Sequence, residues 1–164
     1  MLQGELNMAI LLKLDGVKGN STMDGFADTI ELEAISFGIS NHGNVDPSNS
    51  GRGSGIPSGN TISITKRMDM STPPLYQACA DGKSHAEATI SIVRNADKPT
   101  ADMVYKLTNV IVVNVGCNAM DMEGSDSILL SFSAIEITYK TQNKDATGKG
   151  NTSAKWDFTT NKAS

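Results

Sequence analysis

Lys66-Arg67-Met68-Asp69-Met70-Ser71-Thr72-Pro73-Pro74-Leu75-Tyr76-Gln77-Ala78-Cys79-Ala80-Asp81-Gly82 predicts the one helix of this chain. Thr72 suits the N-cap, where a hydroxyl can meet free amides. Pro73 suits the first helical position, which needs no N–H and a fixed φ. Leu75 and Cys79 share a face, with Tyr76 beside them, and Gly82 can take the left-handed conformation that closes a helix. About ten residues of helix are marginal alone, so this one must dock on something. Almost everything around it alternates with period two.

To the N-terminal side, Ile10-Leu11-Leu12-Lys13-Leu14 reads as a buried strand, and Asp15 to Thr22 as a turn-rich loop. In Thr29–Ser40 the apolar positions run Ile30, Leu32 and Ala34, then Ile35, Phe37 and Ile39. That slip of phase between Ala34 and Ile35 turns later side chains to the other face unless a bulge or bend absorbs it, as where a strand passes from one sheet to another. Residues 41–60 are too polar and glycine-rich to pack a core and form a long extended loop. Thr61 to Asp69 is a strand with Ile62, Ile64 and Met68 on one face.

After the helix, Ala86 to Val93 places Ile90 and Ile92 inward. Val110-Ile111-Val112-Val113, then Val115, is nearly continuous in apolar residues, which predicts cover on both faces, the second from another subunit. Ile128 to Tyr139 repeats the earlier slip, at Ala134-Ile135, which makes the two slipped strands candidates for pairing. Trp156 and Phe158 close a last short strand. About eight strands fit a small barrel or a two-sheet sandwich.

The 164 residues suit one domain, with aromatics at only 5% and 15 glycines for turns. A net charge of −4 argues against nucleic-acid and anionic-membrane partners, which select basic patches. No apolar run is long enough to span a bilayer, and the first residues show no secretory signal. Residues 1–8 are read as a non-native or flexible extension: Met8 is a natural start, and Gly4-Glu5 can be encoded by a purine-rich ribosome-binding stretch. The domain itself is 9–161. Cys79 and Cys117 are expected as free thiols.

Catalytic chemistry is absent from the pattern. His42 and His85 read as surface residues, Cys79 as a small core hydrophobe, and no Gly-x-Ser-x-Gly elbow precedes a helix. Gly51-Arg52-Gly53-Ser54-Gly55 lacks the Gly-Lys-Ser/Thr and helix of a phosphate loop. Asp121, Glu123 and Asp126 lack the alternating oxygen ligands of a calcium loop and read as a solvated hairpin tip. No catalytic, cofactor-binding or metal-binding residue is assigned, and no cofactor. A carbohydrate-binding β-sandwich is the alternative class, but it wants exposed aromatics in a groove and the chain has one Trp and three Tyr.

Five segments resemble the haemolysin-coregulated protein (Hcp) family, the tube protein of bacterial type VI secretion systems. Leu14-Asp15-Gly16-Val17-Lys18-Gly19-Asn20-Ser21 is similar to its "I-x-G-I-K-G-E-S", with Asn20 in place of Glu. Ile30–Gly38 resembles "I-E-V-x-S-W-S-W-G", with Phe37 in place of a Trp. Thr65–Leu75 resembles "T-K-x-x-D-K-x-S-P-x-L", which leads into that family's helix. Tyr105–Val110 is similar to "Y-L-x-x-x-L-x-x-V". Ile135–Lys140 with Gly148 and Ala154-Lys155-Trp156-Asp157 resembles "I-x-x-T-Y…G…A-G-W-D".

The resemblance implies a mainly β fold, a compact two-sheet β-barrel with one short flanking α-helix and a long extended loop. It implies six copies in a ring, rings stacked into a hollow conduit, and no enzyme activity. Its implied partners are the chain itself, sheath and spike proteins, and effectors in the lumen. It also implies passage from the bacterial cytoplasm to the outside or a target cell without a cleaved signal. The interface residues expected on this reading are Asp46, Pro47, Arg52 and Ile56 in the loop, and Val110 and Val112 on the doubly apolar strand.

Overall fold

The computed structural model describes residues 8–45, 52–53, 55–94, 98–120, 123–142 and 148–163. The first strand, β1 (Met8–Leu14), begins where the sequence turns apolar. Next come β2 (Ile30–Leu32) and β3 (Ala34–Phe37), separated by Glu33 alone. Four two-residue strands follow: β4 (Ser40–Asn41), β5 (Asn44–Val45), β6 (Arg52–Gly53) and β7 (Pro57–Ser58). β8 (Thr61–Arg67) leads into α1 (Thr72–Asp81). The second half of the chain is β9 (Ser84–Arg94), β10 (Thr100–Met120), β11 (Glu123–Ser131), β12 (Ala134–Gln142) and β13 (Gly148–Asp157).

Pairing is antiparallel throughout, in the order β2-β1-β9-β10-β11-β8-β3. The two ends of that path are one strand. β2 pairs with β1, β3 pairs with β8, and between them the Glu33 amide donates to the Thr65 carbonyl of β8 at 2.8 Å. The sheet therefore closes on itself through residues 30–37. β10 does the same on a larger scale. Residues 103–108 pair with β12, residues 111–120 pair with β11, and Asn109 between them has φ 54°. One long hairpin thus bends from one sheet into the other, and β13 extends the first sheet beyond β12.

Both predicted slips are sheet-crossing bends. In the first, Ile30 and Leu32 face in, Glu33 and Ala34 are both exposed, and Ile35 and Phe37 return inward. In the second, Phe132 is buried, Ser133 and Ala134 are partly exposed, and Ile135 is buried again. The extra outward residue is what the slip encodes. The two slipped strands are not partners, however. Residues 30–37 pair with β1 and β8, whereas β11 and β12 pair with β8, β10 and β13.

The apolar run in β10 has a similar origin. Register shifts between Val112 and Asn114, so Val110 and Val112 face in, Val113 is the extra residue, and Val115 packs inward again. Val110 and Val112 are 0% and 1% exposed inside the chain's own core. The expectation that these two meet another subunit is therefore corrected: their apolar surface is already removed from water by Leu107, Ile128 and Leu130 of the same chain. The outward members of the run are Ile111, partly buried, and Val113, 46% exposed.

Gly82 closes α1 as expected, with φ 61° and its N–H directed at the Ala78 and Cys79 carbonyls. The start differs. Ser71 is the N-cap, without a side-chain cap bond, and Thr72 is the first helical residue. Leu75 and Ala78 are the buried helix residues, and Cys79 packs at the margin of the core.

Candidate assembly surface

The helix is held by a buried ionic cluster. Lys66 is the inward residue after Ile62 and Ile64 on β8, and its side chain is 0% exposed. Its Nζ donates to the Arg67 carbonyl at 2.8 Å, Asp69 Oδ1 at 2.8 Å and Thr72 Oγ1 at 3.0 Å. It also lies 3.1 Å from Asp126 Oδ2 on β11. The Thr72 hydroxyl donates to that same Asp126 oxygen at 2.6 Å. Asp69 Oδ1 further accepts the Ser71 amide at 2.8 Å and the Ser71 hydroxyl. Burial pushes the Asp69 carboxyl up, but the bonds from Lys66 and Ser71 outweigh it and hold the group below its usual range. So β8, α1 and β11 are joined at one point.

Residues 38–60 form the second feature. Ser40 and Asn41 pair with Ser58 and Pro57, and Asn44 and Val45 pair with Gly53 and Arg52. The described residues of the long loop thus form a ribbon of two short ladders, an arm leaving the barrel between β3 and β8. The Ser40 and Ser58 hydroxyls are 3.0 Å apart across its base. At Gly55 a Cβ would stand 2.1 Å from the His42 carbonyl oxygen, so the arm's two sides approach closely there. Ile39 and Ile56 remain 47% and 76% exposed.

The base of the arm roofs an apolar groove. Ile39, Asn41 and Pro57 lie on one side, and Ile135, Ile137, Ala154 and Trp156 of β12 and β13 on the other, around about 320 Å³. These sheet residues are on the inner face, since Ile135 and Ile137 stand opposite Leu107 and Tyr105. The groove is therefore a stretch of core that the second sheet does not reach. Trp156 Nε1 is buried in it without a partner among the described residues.

The sequence-predicted site residues scatter. Asp46 and Pro47 lie outside the described residues, as does Asp121. Arg52 is a rung of the arm, Ile56 is on the arm's exposed surface, and Val110 and Val112 are core. His85 is not a surface residue: it is 3% exposed, with Nδ1 2.7 Å from the Asp15 carbonyl oxygen. That carbonyl can only accept, so Nδ1 carries the proton. Asp126 belongs to the Lys66 cluster and not to a solvated tip. Both cysteines are free thiols, Cys117 exposed. Among the described residues no three His, Cys, Asp or Glu side chains converge to hold a metal ion. None of their helices is long and apolar enough to cross a membrane.

A family model described as "Type VI secretion system effector, Hcp" matches residues 11–139. This chain belongs to the Hcp family. A curated relative, protein hcp1 of Pseudomonas aeruginosa, is 28% identical over 92 residues, covering 54% of this chain and 57% of the relative. The chain thus spans little more than half the length of that curated Hcp protein. Among solved structures, one described as that of a type six secretion system protein superposes with a TM-score of 0.88 at 23% identity, over 96% of this chain and all of the other. Hcp1 from Salmonella typhimurium follows with a TM-score of 0.79 at 24% identity, over 96% of this chain and 99% of the other. Likeness at these identities speaks for the Hcp fold. The Hcp family match itself takes in the helix, the Lys66 cluster and the arm, and stops short of β13.

Proposed function

We propose that this chain is a structural subunit of a type VI secretion tube, without catalytic activity. Six copies close into a ring, rings stack into a hollow conduit, and effector proteins travel in the lumen. Sheath and spike proteins of the machine are its other partners. It resides in the bacterial cytoplasm until firing carries it outside or into a target cell. The observation that carries this reading is the groove under the arm. A chain of the Hcp family leaves Ile137, Ala154 and Trp156 of an inner sheet face without a second layer, beside the exposed Ile39. Such a surface invites cover by a neighbour. A neighbour seated there is contacted by a different patch of its own, which under rotation gives a ring. Contacts of small apolar area between rings suit a tube that must come apart after use.

The test is sedimentation velocity of the purified chain with negative-stain microscopy. Annular particles of roughly 100 kDa, six chains of 17.3 kDa, are the expected outcome. A stable 17.3 kDa monomer at high concentration overturns the reading.

A further inference from the structure

His85 on β9 is 3% exposed, and only one side of its ring is engaged. Nδ1 carries the proton and donates to the Asp15 carbonyl at 2.7 Å. The Nε2 lone pair is left as an acceptor, buried and without a partner among the described residues. His85 lines a cavity of about 200 Å³ between α1 and the turn at Gly16 and Val17. The helix forms the facing wall. Its Gln77 and Asp81, four residues apart, stand one above the other on the side that lines the cavity.

Asp81 is set against the field of its own helix. It lies in the last turn, where aligned peptide dipoles leave partial negative charge and a cation is the favoured neighbour. No basic residue occupies that turn, and Asp81 makes no ion pair among the described residues. The cavity therefore gathers an imidazole nitrogen, a carboxylate and a carboxamide oxygen, all of them lone-pair donors. A ring N–H bonded to a main-chain carbonyl is also the arrangement that orients a metal-bound histidine. We propose that this cavity is a site for a divalent transition ion of the zinc class, held by His85 Nε2, the Asp81 carboxylate and the Gln77 side-chain carbonyl, with water completing the shell. Imidazole selects such ions over calcium and magnesium, which take oxygen. Water fills about 30 Å³ per molecule, so the cavity has room for the ion and several waters.

Lys83 limits the affinity. It lines the same cavity, and its charge opposes that of the ion. Lys83 is exposed, so its long stem can carry the ammonium out to solvent. The site is complete within one chain and does not depend on how copies assemble. A bound ion ties the end of α1 to the start of β9.

Zinc titration of the untagged full-length chain by calorimetry tests this, with cobalt as a paramagnetic probe in NMR spectra. The wild type should bind one zinc ion, and cobalt-induced shifts should centre on His85. Asp81→Asn and His85→Gln should each weaken binding by at least about tenfold. Lys83→Gln should tighten it, because a like charge is gone. His42→Ala and Cys117→Ser should leave it unchanged. Zinc should raise the melting temperature of the wild type and not that of Asp81→Asn. A wild type that takes up no zinc at about 1 mM overturns the site. So do Asp81→Asn and His85→Gln chains that bind as the wild type does, or binding that disappears with His42→Ala. If His85→Gln fails to fold, Asp81→Asn and Lys83→Gln, both at exposed positions, decide the matter. Opposite changes in affinity support the site, and equal affinities overturn it.

Discussion

Lys66 is the residue on which the helix depends. Removing its ammonium strands Asp69 and Asp126 together, and an uncompensated buried charge is the costly case. Lys66→Met should cost about 3–5 kcal/mol in urea unfolding, while the joint change Lys66→Met with Asp126→Leu should return only the part due to Asp126, since Asp69 then keeps the Ser71 bonds but no cation. The pH dependence has a definite sign. The folded Asp69 carboxyl sits below its ordinary value, so its contribution is complete above the unfolded pKa of about 3.9. It is lost as pH falls through the folded value. Asp69→Asn should flatten the acid limb of a stability–pH curve below about pH 4 and leave its shape at neutral pH unchanged. The cluster is visible in the pattern. Lys66 follows Ile62 and Ile64 with period two, and Asp126 precedes Ile128 and Leu130 in the same way. A charged residue in an inward phase on each of two strands is the signature of a buried pair. Composition-based habits assign such residues to the surface, and period two alone does not say which strands are neighbours.

At the scale of elements, the slips at Ala34-Ile35 and Ala134-Ile135 were legible because a bend between sheets needs an unpaired outward residue. The partners of those strands were not, since pairing is decided by distant segments. The run in β10 misled for a related reason. A bulge at Val113 places apolar residues in adjacent positions, which imitates a strand covered on both faces. The contrast is measurable. Val112→Asp should unfold the chain, since Val112 is 1% exposed. Val113→Asp should shift its melting temperature by only a few degrees, at most about 1 kcal/mol. At the other end of α1, Gly82→Ala should destabilise by about 1 kcal/mol, because φ there is 61° and a Cβ is strained in that conformation. Ile56→Asp in the arm should leave the melting temperature unchanged and weaken assembly in sedimentation, since Ile56 is 76% exposed in the single chain.

For the molecule as a whole, the closed sheet has a consequence under load. Residues 30–37 stitch both ends of the hydrogen-bonded path, so β1, β8, β9, β10 and β11 each have a neighbour on both edges. None can leave without sliding against two ladders at once, and force applied along them is shared among many bonds. Among the described residues β13 has a single neighbouring strand, β12, and can unzip from its free end one rung at a time. A chain tugged by its C-terminus should therefore yield in two stages, a soft peel of the last strand and then a stiff rupture of the hoop. Cargo fused behind Ser164 would transmit its drag first to β13, which the β12 ladder alone holds along its length among the described residues.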